Sequence, residues 1–207
     1  NFLAATSIVA GTIPVAVGVG FSNKLLGKKS ISTVFFGDAA TEEGLFYESV
    51  NFAALHKLPV LFICENNLYS VYTPLHLRQP ASRKIYKIAA SMGLKTGRVD
   101  GNDVEAMYLA SHEASGYIRS GEGPYLLEAM TYRYLEHCGP NCDIELGYRT
   151  KEELQIWKRK DPLSKYEKKL FKESVLSRES IAHMRQDIIE EFKEAVLYAK
   201  SSPFPGA

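Results

Sequence analysis

Cysteine is scarce: three residues in 207, Cys64, Cys138 and Cys142, form an odd and sparse set. They cannot staple a disulfide framework and suit a reducing compartment, so the cytoplasm is the expected location. An excess of one charge is missing too, because 25 Lys and Arg against 24 Asp and Glu leave a formal net charge of +1. No field draws the chain to nucleic acid, and no nucleic-acid partner is expected. The longest nearly apolar stretch, Ile8 to Phe21, is 14 residues interrupted by Gly11, Thr12, Pro14, Gly18 and Gly20. A bilayer span needs roughly 20, so no membrane segment is expected. Asn1 is not an initiator Met and no basic leader precedes the apolar residues, so an N-terminal part is expected to be missing. The common phosphate and zinc signatures are also lacking. There is no GxxxxGK[ST] and no HExxH, and Gly18-Val19-Gly20 meets Asn23 where a dinucleotide fingerprint has its third glycine.

What is present is an ordinary globular composition, 45% apolar and 24% charged, in a chain long enough for one domain and a small appendage. Pro14 to Leu26 reads as a helix of small residues capped by Gly27, with Gly18 and Gly20 implying close packing. Ile31 to Phe36 and Pro59 to Cys64 read as short buried strands, separated by a helix over Glu42 to Lys57. A long loop from Tyr69 to Pro80 precedes a helix over Ser82 to Met92, a strand near Thr96 to Val99 and a helix over Asp103 to Arg119. After the turn Gly121 to Pro124 comes a strand from Tyr125 to Tyr132, then an aperiodic segment, Arg133 to Thr150. Long irregular segments of this kind usually carry function. Residues 151 to 200 are charged and helical, and SSPFPGA is a tail. The alternation predicts an α/β fold: a mostly parallel sheet flanked by helices over 1–150, with a helical C-terminal extension over 151–207.

Open parallel sheets bind ligands beyond the carboxyl ends of their strands. Asp38 follows the first strand and Asn67 the second, 29 positions later, about one strand-helix-strand unit. If those strands are neighbours, a carboxylate and an amide oxygen share one crevice. Such hard oxygens suit a magnesium ion that completes its octahedron with phosphate and water. Singly, Gly-Asp and Asn-Asn are ordinary turn dipeptides.

The full string from Gly37 to Pro74, GDAATEEG followed by NFAALHKLPVLFICENNLYSVYTP, resembles the thiamine-diphosphate motif, Gly-Asp-Gly followed by Asn-Asn, with 26 residues between Ala39 and Asn66. More narrowly, the chain resembles the alpha subunit of the thiamine-diphosphate-dependent first component of 2-oxo acid dehydrogenase complexes. IVAGTIPVAVGVG, RVDGND, GEGPYLLEAMTYRY, LGYRTKEEL and DPL extend the likeness over nearly the whole chain. The resemblance implies the thiamine-diphosphate-binding fold, with Asp38, the Asn67 side chain and the Tyr69 backbone carbonyl as magnesium ligands. It implies that Gly37, Ala39 and Ala40 line the diphosphate, and that Ser7 and Val9 hold the aminopyrimidine through backbone groups. Val9 would also be the apolar wedge that keeps the cofactor bent. His137 matches a histidine of an active-site loop that touches the cofactor and handles substrate.

The implied reaction is oxidative decarboxylation of a small 2-oxo acid with acyl transfer to a lipoyl carrier. The implied partners are a beta subunit, which supplies the glutamate that activates the pyrimidine, and a lipoyl acyltransferase component. A related decarboxylase or carboligase working without a lipoyl complex is the alternative, as is a fragment that keeps the fold without activity. The sequence departs from the family in three places: Ala39 replaces the second glycine, Leu135 a loop histidine of pyruvate-type chains, and Cys138 a serine. A zinc site of His137, Cys138 and Cys142 falls one ligand short at cramped spacing. Cys64, on a buried strand, reads as packing.

Overall fold

Strands that follow one another through helices must run parallel, because each helix returns the chain to the starting edge. The protein, described from a computed structural model covering residues 2–204 and 206, realises this in a unit spanning Asn1–Asp161. Its elements are α1 (Thr12–Leu25), β1 (Ser32–Gly37), a 3-10 turn (Asp38–Glu42), α2 (Gly44–Leu55), β2 (Val60–Asn66), β3 (Tyr69–Ser70) and β4 (Thr73–Pro74). There follow α3 (Leu75–Arg78), α4 (Ile85–Ser91), β5 (Lys95–Asp100), α5 (Val104–Arg119), β6 (Tyr125–Met130), a second 3-10 turn (Ile144–Leu146) and α6 (Lys151–Lys158). Four strands make one sheet in the order β1-β2-β6-β5, with every pairing parallel. The second unit, Pro162–Ala207, contains α7 (Pro162–Lys172) and α8 (Arg178–Ser201). Among the described residues no helix is long and apolar enough to cross a membrane.

Side chains on β2 alternate between two cores, as the period of a strand requires. Val60, Phe62 and Cys64 meet α1, α2 and α4 through Ile13, Val17, Phe46, Val50 and Ile85. Leu61 and Ile63 meet Ala114 and Ile118 of α5. β1 is different. The sequence reads it as buried, but it is an edge strand with one covered face, and Phe35 is 59% exposed on the other.

Of the two helix glycines, Gly20 alone is packed closely: a Cβ there would fall 2.5 Å from Val60 Cγ2, whereas one at Gly18 would meet nothing within 4 Å. α1 ends as expected. Gly27 takes φ +63°, and the Gly27 and Lys28 N–H groups donate to Lys24 O and Asn23 O at 3.1 and 2.8 Å. Glycine adopts that conformation without the steric cost of a Cβ.

The Tyr69 to Pro80 loop is more ordered than its composition suggests, since it holds the antiparallel β3–β4 pair and the single turn of α3. Arg133 to Thr150, by contrast, contains only the short 3-10 turn.

Candidate functional site at the carboxyl edge of the sheet

β1 and β2 are neighbours in register, Gly37 opposite Glu65, so Asp38 leaves the sheet level with the Asn66-Asn67 turn. Asp38 is 1% exposed, and its backbone carbonyl accepts a hydrogen bond from Thr41 Oγ1 at 2.7 Å, fixing the 3-10 turn. Burial pushes the Asp38 carboxyl above its usual range, and Arg78 only partly offsets this. Beside it the surface is open, for a Cβ on Gly37 would meet nothing within 4 Å. Ala39 is half-buried and Ala40 is buried in the same core as Phe36.

The two asparagines do different work. Asn66 is buried, its Nδ2 donating to Glu128 Oε1 of β6 at 2.8 Å and its Oδ1 accepting from the Leu68 N–H at 3.2 Å. Asn67 is half-buried, and its Oδ1 accepts from the Tyr69 N–H at 3.0 Å. Leu68 between them takes φ +70°, and Val71 takes φ +52°. Such values are sparse for residues with a Cβ and cluster where function holds the chain in place. The Leu75 N–H donates to Leu68 O at 2.7 Å, so the next pair, Tyr69 and Pro74, is a non-hydrogen-bonded one. The Tyr69 carbonyl therefore points away from β4. Its hydroxyl donates to Glu153 Oε2 at 2.6 Å, and burial with that carboxylate raises the phenol well above its usual range.

A residue the sequence reading missed faces Asp38. Arg78, on α3, bonds the Asp38 carboxylate and Glu42 together. Gln79 Nε2 also donates to Glu42, at 2.7 Å, and Arg83 donates to Thr41 O at 2.6 Å. No pattern joins positions 38 and 78; only the fold does.

The structure thus gathers Gly37, Asp38, Ala39, Ala40, Asn67 and Tyr69 at one edge. Ser7 and Val9 are exposed, but the next residue, Ala10, is buried in the core that includes Phe36 and Ala40, with φ +62°. His137 is exposed on a turn closed by the Glu136 N–H donating to Asn141 O at 2.9 Å. The base of that turn is clamped by a second missed group. Arg149 bonds Asp143 and reaches the carbonyls of Arg133 and Leu135, while Arg133 donates to Val71 O at 2.9 Å. Among the described residues no three His, Cys, Asp or Glu side chains are grouped to hold a metal.

The sequence matches the dehydrogenase E1 component family over residues 1–207. It is 35% identical over 205 residues to the pyruvate dehydrogenase E1 component subunit alpha of Rickettsia bellii, covering 99% of this chain and 62% of that one. The Bacillus subtilis protein of the same name is 36% identical over 203 residues, 98% of this chain and 54% of its own length. The 2-oxoisovalerate dehydrogenase subunit alpha of Bacillus subtilis is 36% identical over 199 residues, 96% of this chain and 59% of its own. The chain spans between half and two thirds of the length of these relatives.

Proposed function

Because the chain belongs to the dehydrogenase E1 component family, we propose that it forms the magnesium- and diphosphate-holding part of the alpha subunit of a thiamine-diphosphate-dependent 2-oxo acid dehydrogenase. The observation that carries this reading is the β1–β2 register, which sets the buried Asp38 carboxylate level with the Asn66-Asn67 turn. The residues fit the group. One carboxylate, one side-chain amide oxygen and one outward carbonyl are hard ligands that leave positions for diphosphate and water. The open surface at Gly37 gives a diphosphate room beside them.

In this reading Asp38, Asn67 Oδ1 and the Tyr69 carbonyl hold magnesium. Gly37, Ala39 and Ala40 would line the diphosphate, and Ser7 and Val9 would hold the aminopyrimidine through backbone groups, with the Val9 side chain as an apolar wedge against the cofactor. When bound, the cofactor supplies the electron sink for decarboxylating a small 2-oxo acid. The chain's own part is orientation and charge. Asn66 is buried and orients the turn through Glu128, so the half-buried Asn67 is the amide nearer the surface, and His137 approaches the substrate from its loop. The acyl group passes to a lipoyl carrier of the acyltransferase component. A beta subunit brings the carboxylate that activates the pyrimidine, so turnover requires both chains.

Calorimetry on the complete natural polypeptide with its beta chain tests this. Thiamine diphosphate should bind only with magnesium. Changes outside a metal's own ligands already cost about 10- to 100-fold, so Asp38→Ala should weaken binding by more than that. Unchanged affinity in Asp38→Ala would reject the assignment.

A further inference from the structure

Asp38 already has a cation, and it comes from this chain. Arg78 reaches across from α3 and bonds the carboxylate that the reading above gives to magnesium, and its other arm bonds Glu42. An ionised carboxylate 1% exposed needs a counter-charge, because burial without one is costly. The guanidinium supplies part of it. We propose that Arg78 is a place-holding cation that a divalent metal must displace from Asp38, and that its release unlatches the strap formed by residues 73–83. This rests on the assignment of Asp38 as a metal ligand.

Three features of the strap support the idea. Its hold on the 3-10 turn runs through side chains: Arg78 to Asp38 and Glu42, Gln79 to Glu42, and Arg83 to Thr41. Side-chain ties can exchange without breaking the sheet. α3 has four residues, none of them buried, and Leu77 is exposed, so little apolar packing opposes its movement. The guanidinium of Arg78 is shared among three acceptors, with Nε donating to Thr73 O at 3.2 Å and the outer nitrogens bonding Glu42 and Asp38, so it keeps partners on this chain when it gives up Asp38. A divalent ion and a guanidinium on one buried carboxylate repel each other strongly in a medium of low dielectric. The two occupants therefore exclude one another.

Mn2+ alone, followed by its electron paramagnetic resonance signal, is the probe, with the complete natural polypeptide and its beta chain. A latch closed nine-tenths of the time lowers apparent affinity about 10-fold, so Arg78→Met should bind Mn2+ about 10-fold more tightly than the wild type. Arg78→Lys, which keeps the charge and loses the fork, should fall between them. In the wild type, Mn2+ should also speed tryptic cleavage after Arg78, since the displaced side chain enters solvent. A merely structural Arg78 predicts the reverse. Equal or weaker Mn2+ binding by Arg78→Met, or wild-type cleavage that Mn2+ leaves unchanged or slows, would overturn the latch. Asp38→Asn separates the two levels: if it binds Mn2+ as well as the wild type, the metal-ligand reading itself fails and the latch with it.

Discussion

Asp38 and Asp143 are each about 1% exposed and each faces an arginine, yet the two carboxylates are held in opposite ways. Around Asp143, burial alone would raise the carboxyl, but hydrogen bonds from Tyr148 and Arg149 outweigh it and hold the group below its usual range. Arg149, fully buried, donates from Nε at 3.0 Å and from a second nitrogen, and spends its remaining donors on the Arg133 and Leu135 carbonyls. Around Asp38, burial is the larger influence and the carboxyl is raised; Arg78, which also bonds Glu42, lowers it only in part, and the charge of Glu42 adds a little to the rise. The first pair is closed on itself and clamps a loop. The second leaves a buried anion incompletely compensated at the mouth of a sheet, which is where a cation is useful.

Removing the arginines is the strongest way to break the comparison. Arg149→Met strands the Asp143 carboxylate among groups arranged for its ionised form and should cost about 3–5 kcal/mol in urea unfolding. Arg78→Met should cost less, about 1–2 kcal/mol, because Arg78 divides its donors between Asp38 and Glu42 and a carboxyl that loses this partner can take up a proton. Equal losses would mean that both pairs are clamps and that the site has no special character.

Acid titration of stability sharpens the contrast by its sign. Asp143 sits below the usual 3.8, so its contribution is present above that value and lost as pH falls through the lowered one. Asp38 sits above 3.8, so its contribution is full below that value and lost as pH rises through the raised one. With metal absent, Asp143→Asn should remove part of the loss of stability on acidification, whereas Asp38→Asn should remove part of the loss on going from acid to neutral. Urea midpoints across the acid range read both. Slopes of the same sign in the two variants would erase the distinction.

These two aspartates also mark how far the sequence could be read. The strands were legible because runs such as PVLFIC are short, apolar and bounded by polar turns, and the spacing from Asp38 to Asn67 is that of one strand-helix-strand unit. That spacing alone puts Asp38 at the sheet edge. Arg78 has no such sign, because a contact across 40 positions from an aperiodic loop leaves no local trace. β3 and β4 are two residues each and turn at Val71 with φ +52°, without the Asn-Gly or Gly that signals a tight hairpin. The edge position of β1 was hidden for a different reason. ISTVFF has the composition of a buried strand, and only the sheet order reveals that Phe35 faces outward. Asp143 and Arg149 lie in the irregular segment, where neither helix nor strand period says which charges turn inward.

The smallest expected effect on stability belongs to His137, and it tests the loop that the Asp143 pair clamps. His137 is exposed on a turn whose ends are held by the Glu136–Asn141 bond and, nearer the base, by Arg149. Truncating an exposed side chain away from the clamp should change unfolding by no more than about 0.5 kcal/mol. If the loop serves the substrate, His137→Ala in the assembled enzyme should nevertheless lower turnover more than it lowers cofactor affinity, since a group that meets the substrate acts after the cofactor is seated. Single-turnover rates and calorimetry on the same preparation measure the two quantities. Equal losses would make His137 an anchor of the cofactor, and a loss of stability near that of Arg149→Met would make it part of the clamp.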